Sequence, residues 1–397
     1  MNTGEDSTYQ PYEGLRVLDM SQGLAGPYCA EILLQNGASV IKVEPIGGDW
    51  ARGLGKSGGG MTPTSVANNY GKRSICIDLS VEAGHKLLID MVKQSDLLIE
   101  SFRPDVMPRL GLSYEDVSKI NPKLVYLSIN GFGSNGPSAL RPATDSVLQA
   151  LTGMMAENRD SAGVPRKFGL ISIIDASTGV YAAQAAGAAL YRQAVEGIGT
   201  YLNISLLHSA VAIQSGCVLR SYAGGDQAGA PKGLFESSDG YVNIFTVHDK
   251  MFTNLSHALG HAEWAADSHF STGRSRSVNA EEITRLVAAI LKENTSEHWE
   301  RQLSQHDVIC ASVNDYAAML KHEQVQHARL FELLQQPGFG EVPASRVPGA
   351  DPHIPLRPSP FAGADTRAVL EELGLEDTAI DDLVLRRVVG EYHAKPE

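Results

Sequence analysis

Short apolar runs alternate with longer amphipathic segments through the first half of the chain. Residues 14–20 (GLRVLDM) predict a strand, residues 27–36 a helix with Pro27 in its first turn, and residues 39–44 a second strand. A strand, a helix and a strand within about 30 residues predict two parallel strands joined by a right-handed crossover. The chain therefore begins with the repeating unit of an α/β fold.

The same alternation continues downstream. Helices are predicted at residues 81–93 and 206–221, and strands at 75–79, 97–100, 122–133 and 201–205, of which 122–133 runs into a glycine-rich loop. Strands that alternate with helices form one parallel sheet covered on both faces. The expected fold class is therefore α/β, with a Rossmann-like sheet in the first half.

The pattern changes after residues 223–231 (AGGDQAGAP), a flexible stretch that marks a domain boundary. Residues 233–244 predict a hairpin on an Asp-Gly turn. A small α+β domain is expected, because helices follow at 250–259, 280–293 and 296–305. The rest of the chain predicts a helix at 315–334, proline-rich loops at 343–360, a last helix at 366–373 and a frayed acidic end.

Composition is that of an ordinary globular protein, and 397 residues favour two domains. A formal net charge of −13 argues against nucleic acid and anionic membranes as partners. The N-terminus lacks the apolar core of a signal peptide, and no stretch approaches the roughly 18 apolar residues of a membrane-spanning helix. A cytoplasmic location is expected, because the four cysteines are scattered: Cys29, Cys76, Cys217 and Cys310.

Several common sites are missing from the sequence. The first turn, residues 21–29, lacks the GxGxxG of dinucleotide-binding folds, and Trp50 stands where a phosphate loop needs its first glycine. No GxSxG marks a serine hydrolase. His257 and His261 are spaced to share a helix face, but no glutamate completes an HExxH pattern. No metal site is therefore predicted.

One acidic residue stands at the start of an Ala- and Gly-rich helical run. The β-branched run 171–174 ends at Asp175, and the small residues of 176–190 allow a helix to pack closely on another element. At such a loop-to-helix junction, free N–H groups and the helix dipole favour a negative charge. Asp175 is therefore either a helix N-cap or a carboxylate nucleophile, and the local sequence leaves both open.

Three cations lie near the ends of neighbouring predicted strands: Lys72, Arg73 and Arg103. Lys and Arg side chains usually lie on the solvated surface. The alternative is an anion clamp at the carboxyl ends of the strands, where open α/β sheets bind their ligands.

An ordered series of short motifs runs along the chain. It comprises GLRVLD at 14–19, LAGP at 24–27, GASVIKVEP at 37–45, GGD at 47–49, KRSI at 72–75, FRP at 102–104, RLGL at 109–112, GFG at 131–133 and DG at 239–240. In this order and spacing the chain resembles the class III CoA-transferase family, which contains formyl-CoA transferase, carnitine CoA-transferase and α-methylacyl-CoA racemase. The nucleophile of that family is an aspartate in a D-x-x-T-G context, which residues 175–179 match. The resemblance therefore favours Asp175 as the nucleophile.

The resemblance implies an enzyme that moves CoA from an acyl-CoA thioester to a free carboxylic acid. Asp175 would attack the thioester, giving an aspartyl–acyl anhydride and then an aspartyl–CoA thioester. Acyl-CoA and the acid are then substrates, and no cofactor is permanently bound. By the same resemblance the CoA phosphates and adenosine would be held by Lys72, Arg73 and Arg103. The reacting thioester would be lined by two turns that contain Leu24, Ala25, Asn130, Gly131 and Phe132.

A short dicarboxylate, with a succinyl-CoA-like donor, is the expected substrate, because Arg52 near the 47–49 loop could pair with a second carboxylate. Leu24 replaces the glutamine of formyl-CoA transferases, which disfavours oxalate as the acceptor. Residues 143–145 (ATD) replace the G-H-D of racemases, so one acid/base of a two-base proton exchange is missing. An acyl-CoA racemase of the same fold and a non-catalytic CoA-binding protein remain the alternatives.

The family's architecture implies a large domain from both chain ends and a small middle domain. The expected bounds are 1–13 for a disordered N-terminus, 14–222 and 315–397 for the large CoA-binding domain, and 223–314 for the small domain with its linkers. Two chains of this family thread through one another, so an interlocked homodimer is expected. The glycine-rich residues 223–230 are a candidate lid that excludes water from the anhydride.

Overall fold

A computed structural model of the protein describes residues 9–55, 58–169, 172–224 and 229–392. Its strands are β1 Arg16–Asp19, β2 Ser39–Glu44, β3 Arg73–Ile77, β4 Leu97–Glu100, β5 Val125–Asn130, β6 Thr200–Ser205, β7 Lys232–Glu236, β8 Tyr241–Phe245, β9 Ile309–Ser312, β10 Phe331–Gln336, β11 Gly340–Ser345 and β12 Val389–Gly390.

Helices connect most of these strands. They are α1 Ala25–Gln35, α2 Pro63–Ala67, α3 Glu82–Lys93, α4 Val106–Arg109, α5 Tyr114–Ile120, α6 Asp145–Leu151, α7 Met154–Glu157, α8 Ile173–Glu196, α9 Leu206–Ile213, α10 Ser215–Ala223, α11 Asp249–Ala258, α12 Gly273–Val278, α13 Ala280–Leu291, α14 Ser296–Gln305, α15 Tyr316–Lys321, α16 Glu323–His327, α17 Thr366–Glu372 and α18 Asp377–Leu385. Short 3-10 helices span Trp50–Gly53 and Ala262–Ala265. Every helix among the described residues is too short or too polar to cross a bilayer.

The chain divides into two compact units. One unit comprises Met1–Cys217 together with Arg329–Glu397, and the other comprises Val218–Ala328. These bounds lie at 217/218 and 328/329, whereas the sequence suggested 222/223 and 314/315.

The first unit contains a seven-stranded sheet in the order β12-β3-β2-β1-β4-β5-β6. The pairs from β3 to β6 are parallel, and the edge strand β12 is antiparallel to β3. The order 3-2-1-4-5-6 is that of doubly wound folds, whose ligands bind at the carboxyl ends of the strands where the chain order reverses. Here the order reverses between β1 and β4. The predicted α/β class and the parallel sheet are confirmed.

Alternating strand residues fill two cores, one on each face of the sheet. On one face Val17, Leu97 and Leu127 pack with α1 and α8. On the other face Leu18 and Leu98 pack with α3, α5, α17 and α18. Because both faces are buried, the strands read as nearly continuous apolar runs rather than as alternating ones.

Helix α8 packs closely on α1 through its small residues, as the sequence predicts. Ala182, Ala183 and Ala186 are buried in the shared core. A Cβ on Gly179 would lie 2.8 Å from the Ala25 carbonyl oxygen and 2.9 Å from the Tyr28 ring, so no larger residue fits there without a shift. This contact fixes the start of α8 against the start of α1.

The predictions for residues 315–397 were partly wrong. The predicted helix at 315–334 is two short helices, α15 and α16, followed by strand β10. Strong helix formers in FELLQQ suggested a helix, but its buried residues, Leu334 and Gln336, alternate with exposed ones because β10 pairs with β11. The acidic end forms α18 and β12 instead of fraying, while 393–397 lie outside the described residues.

Two further predictions need correction. The helix predicted at 206–221 is interrupted at Gln214, which ends α9 before α10 begins. Residues 9–13, expected to be disordered, are held in place, because the Tyr12 amide donates to the Asn36 carbonyl oxygen and the Tyr12 side chain packs on the core. Residues 1–8 of that N-terminal stretch lie outside the described residues.

The second unit contains the predicted hairpin, β7–β8, which turns at residues 237–240. Strand β9, which the sequence did not indicate, pairs antiparallel with β8. The helices predicted at 250–259, 280–293 and 296–305 are confirmed as α11, α13 and α14, and they bury Phe252, Val287 and Leu303 against this sheet. The small α+β unit therefore has a core of its own.

Candidate active site

A cavity of about 390 Å³ lies in the first unit at the carboxyl ends of β1, β4 and β5. It is lined by residues of the loops that follow these strands and of the start of α8, which are 22–25, 101–103, 129–131, 141–144, Ser172 and Asp175. This is the place where a doubly wound sheet binds its ligand, because the strand order reverses between β1 and β4.

Asp175 lies in the first turn of α8, not at its N-cap. The helix begins at Ile173, its N-cap is Ser172, and the Ser172 side chain makes no capping hydrogen bond. The N-cap alternative for Asp175 is therefore excluded, and the β-branched run does not end before the helix, because Ile173 and Ile174 already belong to α8. Ile171, the first residue of that run, lies outside the described residues.

The N–H groups at the start of α8 are occupied by another carboxylate. Oδ2 of Asp145, the first residue of α6, accepts the Ile174 N–H at 2.7 Å and the Asp175 N–H at 3.3 Å. Oδ1 of Asp145 accepts a hydrogen bond from Gln149 Nε2 at 2.6 Å. The helix start therefore stabilises the charge of Asp145 rather than that of Asp175.

The acidity of Asp175 reflects this arrangement. Burial raises the pKa of the Asp175 carboxyl to about 7, and the neighbouring Asp145 charge also raises it. The sequence suggested the opposite direction, because a free helix N-terminus would have stabilised the ion. A carboxylate of raised pKa is more basic than an ordinary aspartate, and near neutral pH a large fraction of it is ionised and able to act as a nucleophile.

Most of the residues expected around the thioester do lie at this cavity. Leu24, Ala25, Asn130 and Gly131 line it together with Asp175. Asn130 Oδ1 accepts the Gly133 N–H at 2.6 Å, which fixes the turn after β5. Phe132 is not among the described lining residues, but its ring lies 5.3 Å from the guanidinium carbon of Arg141, which does line the cavity.

The three predicted phosphate-binding cations separate in the structure. Arg103 is exposed and lines the cavity. Lys72 is buried, and its Nζ donates to Asp19 Oδ2 and to the Pro27 carbonyl oxygen, both at 2.8 Å. Arg73 pairs with Glu372 at 2.5 Å, beside a different cavity at the starts of β1 and β2. Carboxylates of this chain therefore engage both cations, Lys72 in the interior and Arg73 at the surface, and their assignment to the CoA phosphates stays a prediction.

Arg52 is also engaged inside the protein. Its Nε and Nη2 donate to the two oxygens of Glu44, each at 2.7 Å, and its Nη1 donates to the Pro360 carbonyl oxygen at 3.0 Å. The side chain is only 7% exposed. The sequence suggested that Arg52 could bind a second substrate carboxylate, but its guanidinium is already occupied by Glu44 and the Pro360 carbonyl oxygen. Arg141, which the sequence did not single out, is the second cation at the cavity.

A buried network of opposite charges supports the loop after β1. Lys42 pairs with Asp49 at 3.0 Å, and both Asp49 oxygens accept the Gly23 N–H at 3.2 Å. Burial alone would raise the pKa of Asp19, but Lys72 and Lys42 lower it below its usual value, so this carboxylate stays ionised. Asp49 of the GGD motif and Lys72 of the KRSI motif thus help to hold the loop after β1, whose residues 22–25 line the cavity.

The described residues contain no group of three or more His, Cys, Asp or Glu side chains placed to hold a metal ion. Residues 225–228 of the candidate lid at 223–230 lie outside the described residues.

Comparison with known proteins identifies the family. The family model of CoA-transferase family III matches residues 12–366. The chain belongs to this family. The acetyl-CoA:oxalate CoA-transferase of Acetobacter aceti is 33% identical over 299 residues, which cover 73% of this chain and 77% of that protein. The succinate–glutarate CoA-transferase of Agrobacterium fabrum is 30% identical over 383 residues, which cover 91% of this chain and 96% of that protein.

A solved structure agrees with this assignment. The crystal structure of a CAIB/BAIF family protein from Brucella suis matches with a TM-score of 0.81 at 30% identity, and the match covers 92% of this chain and 100% of that chain. The predicted membership is confirmed, and the protein is a CoA-transferase of family III.

The internal role of Lys72 in this transferase predicts a large effect on stability. Lys72→Met leaves Asp19 buried without its partner and should lower the free energy of unfolding by about 3–5 kcal/mol. Arg73→Met, the matched control, breaks a partly exposed pair and should cost less than about 1 kcal/mol. Denaturant unfolding measures both. A Lys72→Met variant of unchanged stability with a raised KM for acyl-CoA would restore the phosphate-binding role.

The raised pKa of Asp175 predicts a pH-dependent stability difference. Between the unfolded pKa of about 4 and the folded pKa of about 7, the native state retains a proton that the unfolded state loses, so stability falls as pH rises. Asp175→Asn replaces the titrating carboxyl with a neutral amide and so removes this fall in stability with rising pH. Its melting temperature should exceed that of the parent by a margin that grows from pH 5.5 to 7 and is constant above 7.5.

Differential scanning fluorimetry of the two proteins in parallel tests this expectation. Glu31 and Glu100, whose pKa values burial also raises to about 7, are present in both proteins, so their contributions cancel in the difference. A margin that does not vary with pH would mean that Asp175 has an ordinary pKa.

Proposed function

We propose that the protein transfers CoA from an acyl-CoA thioester to a free carboxylic acid through covalent intermediates on Asp175. The observation that supports this most is the Asp175 carboxyl itself, which lies at a cavity at the carboxyl edge of the sheet and has a raised pKa. The D-x-x-T-G context at 175–179 and the membership of CoA-transferase family III agree with this role.

The proposed sequence consists of four acyl transfers. The Asp175 carboxylate attacks the thioester carbonyl, which forms a mixed aspartyl–acyl anhydride and expels CoA as a thiolate. The thiolate then attacks the Asp175 carbonyl, which gives an enzyme–CoA thioester and frees the donor acid. The acceptor carboxylate attacks this thioester, forming a second anhydride and releasing the thiolate again. Attack of the thiolate on the acceptor's acyl carbon gives the new acyl-CoA and restores the Asp175 carboxylate. No ATP is consumed, because one activated acyl bond is kept throughout.

The competing racemase activity has little support at this cavity. Exchange of an α-proton between two faces needs two acid/base groups. Apart from Asp175, the ionisable side chains among the described lining residues are Arg103 and Arg141, which do not deprotonate in proteins. Asp145 is committed to the α8 backbone and to Gln149.

The charges at the cavity suggest a dicarboxylate as the acid. Two arginines and one aspartate line the cavity, so one cation can serve the CoA phosphates and the other a distal substrate carboxylate. Arg141 is the better candidate for binding the distal carboxylate, because its guanidinium lies over the Phe132 ring in a cation–π contact that holds it in place. The two relatives described above are named for oxalate and for succinate and glutarate, all of which are dicarboxylates.

Loss of the nucleophile should abolish exchange without abolishing binding. Asp175→Asn should lower kcat by at least about a thousandfold and leave the affinity for CoA within a few-fold, because the residue acts after binding. Asp90→Asn, which removes a surface carboxylate paired with Lys93, is the control and should retain full activity. Steady-state exchange and calorimetric CoA titration measure the two quantities. An active Asp175→Asn variant would refute the mechanism.

Arg141→Gln should impair dicarboxylates selectively. Loss of a charge-assisted contact worth about 1.5–3 kcal/mol should raise the KM for a short dicarboxylate acceptor roughly 10- to 100-fold. The KM for a monocarboxylate of equal length should stay unchanged, and so should that for acyl-CoA. Arg159→Gln, which removes an exposed cation that donates to the Gly163 carbonyl oxygen, is the matched control. Equal losses for both acids would assign Arg141 to another role.

We also propose that two chains form the interlocked homodimer expected from the family. Two observations support it: both chain ends contribute to one unit, and large apolar side chains stay exposed on the second half of α8 and just after it, namely Tyr191, Val195 and Ile198. An interlocked interface should bury far more than the roughly 1,600 Å² of a standard one. Sedimentation at nanomolar concentration should therefore show dimer alone. A folded, reversible monomer would contradict the threading.

A further inference from the structure

Helix α8 begins without a cap of its own. The first N–H groups of any helix lack intrahelical partners and are usually satisfied by the side chain of the preceding residue. Here the Ser172 side chain makes no such bond, and the carboxylate of Asp145 accepts from Ile174 and Asp175 instead. A residue 30 positions earlier in the chain therefore replaces the local cap at the turn that contains Asp175.

Asp145 is itself held rigidly. Its carboxylate is 8% exposed, and its second oxygen accepts from Gln149, one turn further along α6. Gln149 is 1% exposed, and its Oε1 accepts the Phe168 N–H at 2.9 Å. These two bonds fix the orientation of the Gln149 amide, because its NH₂ group must donate to Asp145 and its oxygen must accept from Phe168. Both Asp145 oxygens are thus committed to structural partners.

We propose that Asp145 is the positioning residue of this active site: its carboxylate caps α8 from outside the helix, orients the turn that presents Asp175, and places a second negative charge beside the nucleophile. This inference rests on the proposed function for the chemical role of Asp175, but not for its own geometry. It assigns to Asp145 a task that its position in residues 143–145, which replace the G-H-D of the racemases, does not suggest.

Asp145 is the negatively charged neighbour of Asp175 among the described residues around it, since the other charged groups there are arginines. Arg103, from the loop after β4, and Arg141, from the loop before α6, are the remaining charged groups among the described lining residues. Helix α1 contributes the Tyr28 ring against Gly179, and α9 contributes the apolar Leu206. Burial and the Asp145 charge both raise the pKa of the Asp175 carboxyl, and a substrate anion that engages the two arginines would raise it further.

Asp145→Asn tests the proposal, because its remaining carbonyl oxygen can still accept from the α8 backbone while the charge is removed. The ¹³C NMR titration of the Asp175 carboxyl, identified by its absence from Asp175→Asn, should shift its midpoint down by about one pH unit or more. The acidic limb of the exchange-rate profile should shift equally. Asp315→Asn, which replaces the cap of α15 in the other unit, should leave both unchanged.

Asp145→Asn would place its amide N–H groups against those of Gln149. A second variant, Asp145→Asn with Gln149→Glu, supplies an acceptor for that amide and restores every hydrogen bond. This double variant should regain the melting temperature that Asp145→Asn loses. Asp145→Ala, which removes the acceptor altogether, should not regain it.

The outcomes distinguish the positioning role of Asp145 from the nucleophilic role of Asp175. An Asp175 midpoint that does not move in a folded Asp145→Asn variant overturns the positioning role. A midpoint that moves while the rate profile stays in place supports the role of Asp145 and refutes Asp175 as the nucleophile.

Discussion

The close approach of helices α1 and α8 is the contact on which the active site depends. Gly179 lies against the Ala25 carbonyl oxygen, and a stripe of alanines extends this contact along α8. Because α1 begins in the loop after β1, the contact brings Leu24 and Ala25 to the same cavity as Asp175. A bulkier residue at this crossing would separate the two helix starts, so the composition of one helix determines the geometry of the site.

Charge is used in two different ways around this contact. On the side of α1, buried lysines and carboxylates neutralise one another and fix the loop after β1, so Lys42, Asp49 and Lys72 stabilise the site without touching its cavity. On the side of α8 two carboxylates lie together, and burial combined with this proximity keeps Asp175 basic. The first arrangement provides rigidity, whereas the second raises the pKa of a buried carboxyl at a cost in stability.

Much of the fold could be predicted from local patterns, since the strands of a doubly wound sheet are buried on both faces and read as apolar runs. Strand β10 was missed because FELLQQ consists of good helix formers, and only its pairing with β11 makes it a strand. At the site, the motif context identified Asp175, Leu24 and Asn130. Arg141 and the engagement of Lys72 depend on contacts between distant segments, which no local pattern encodes.

The central claim is that CoA becomes attached to the carboxyl group of Asp175. Incubation with an acyl-CoA donor in the absence of any acceptor acid, followed by hydroxylamine and peptide mass mapping, tests it most directly. The account predicts a protein that gains the mass of CoA less one water before hydroxylamine, and a hydroxamate on Asp175 afterwards. Exchange that proceeds with Asp175 unlabelled, or with the label on another residue, would contradict it.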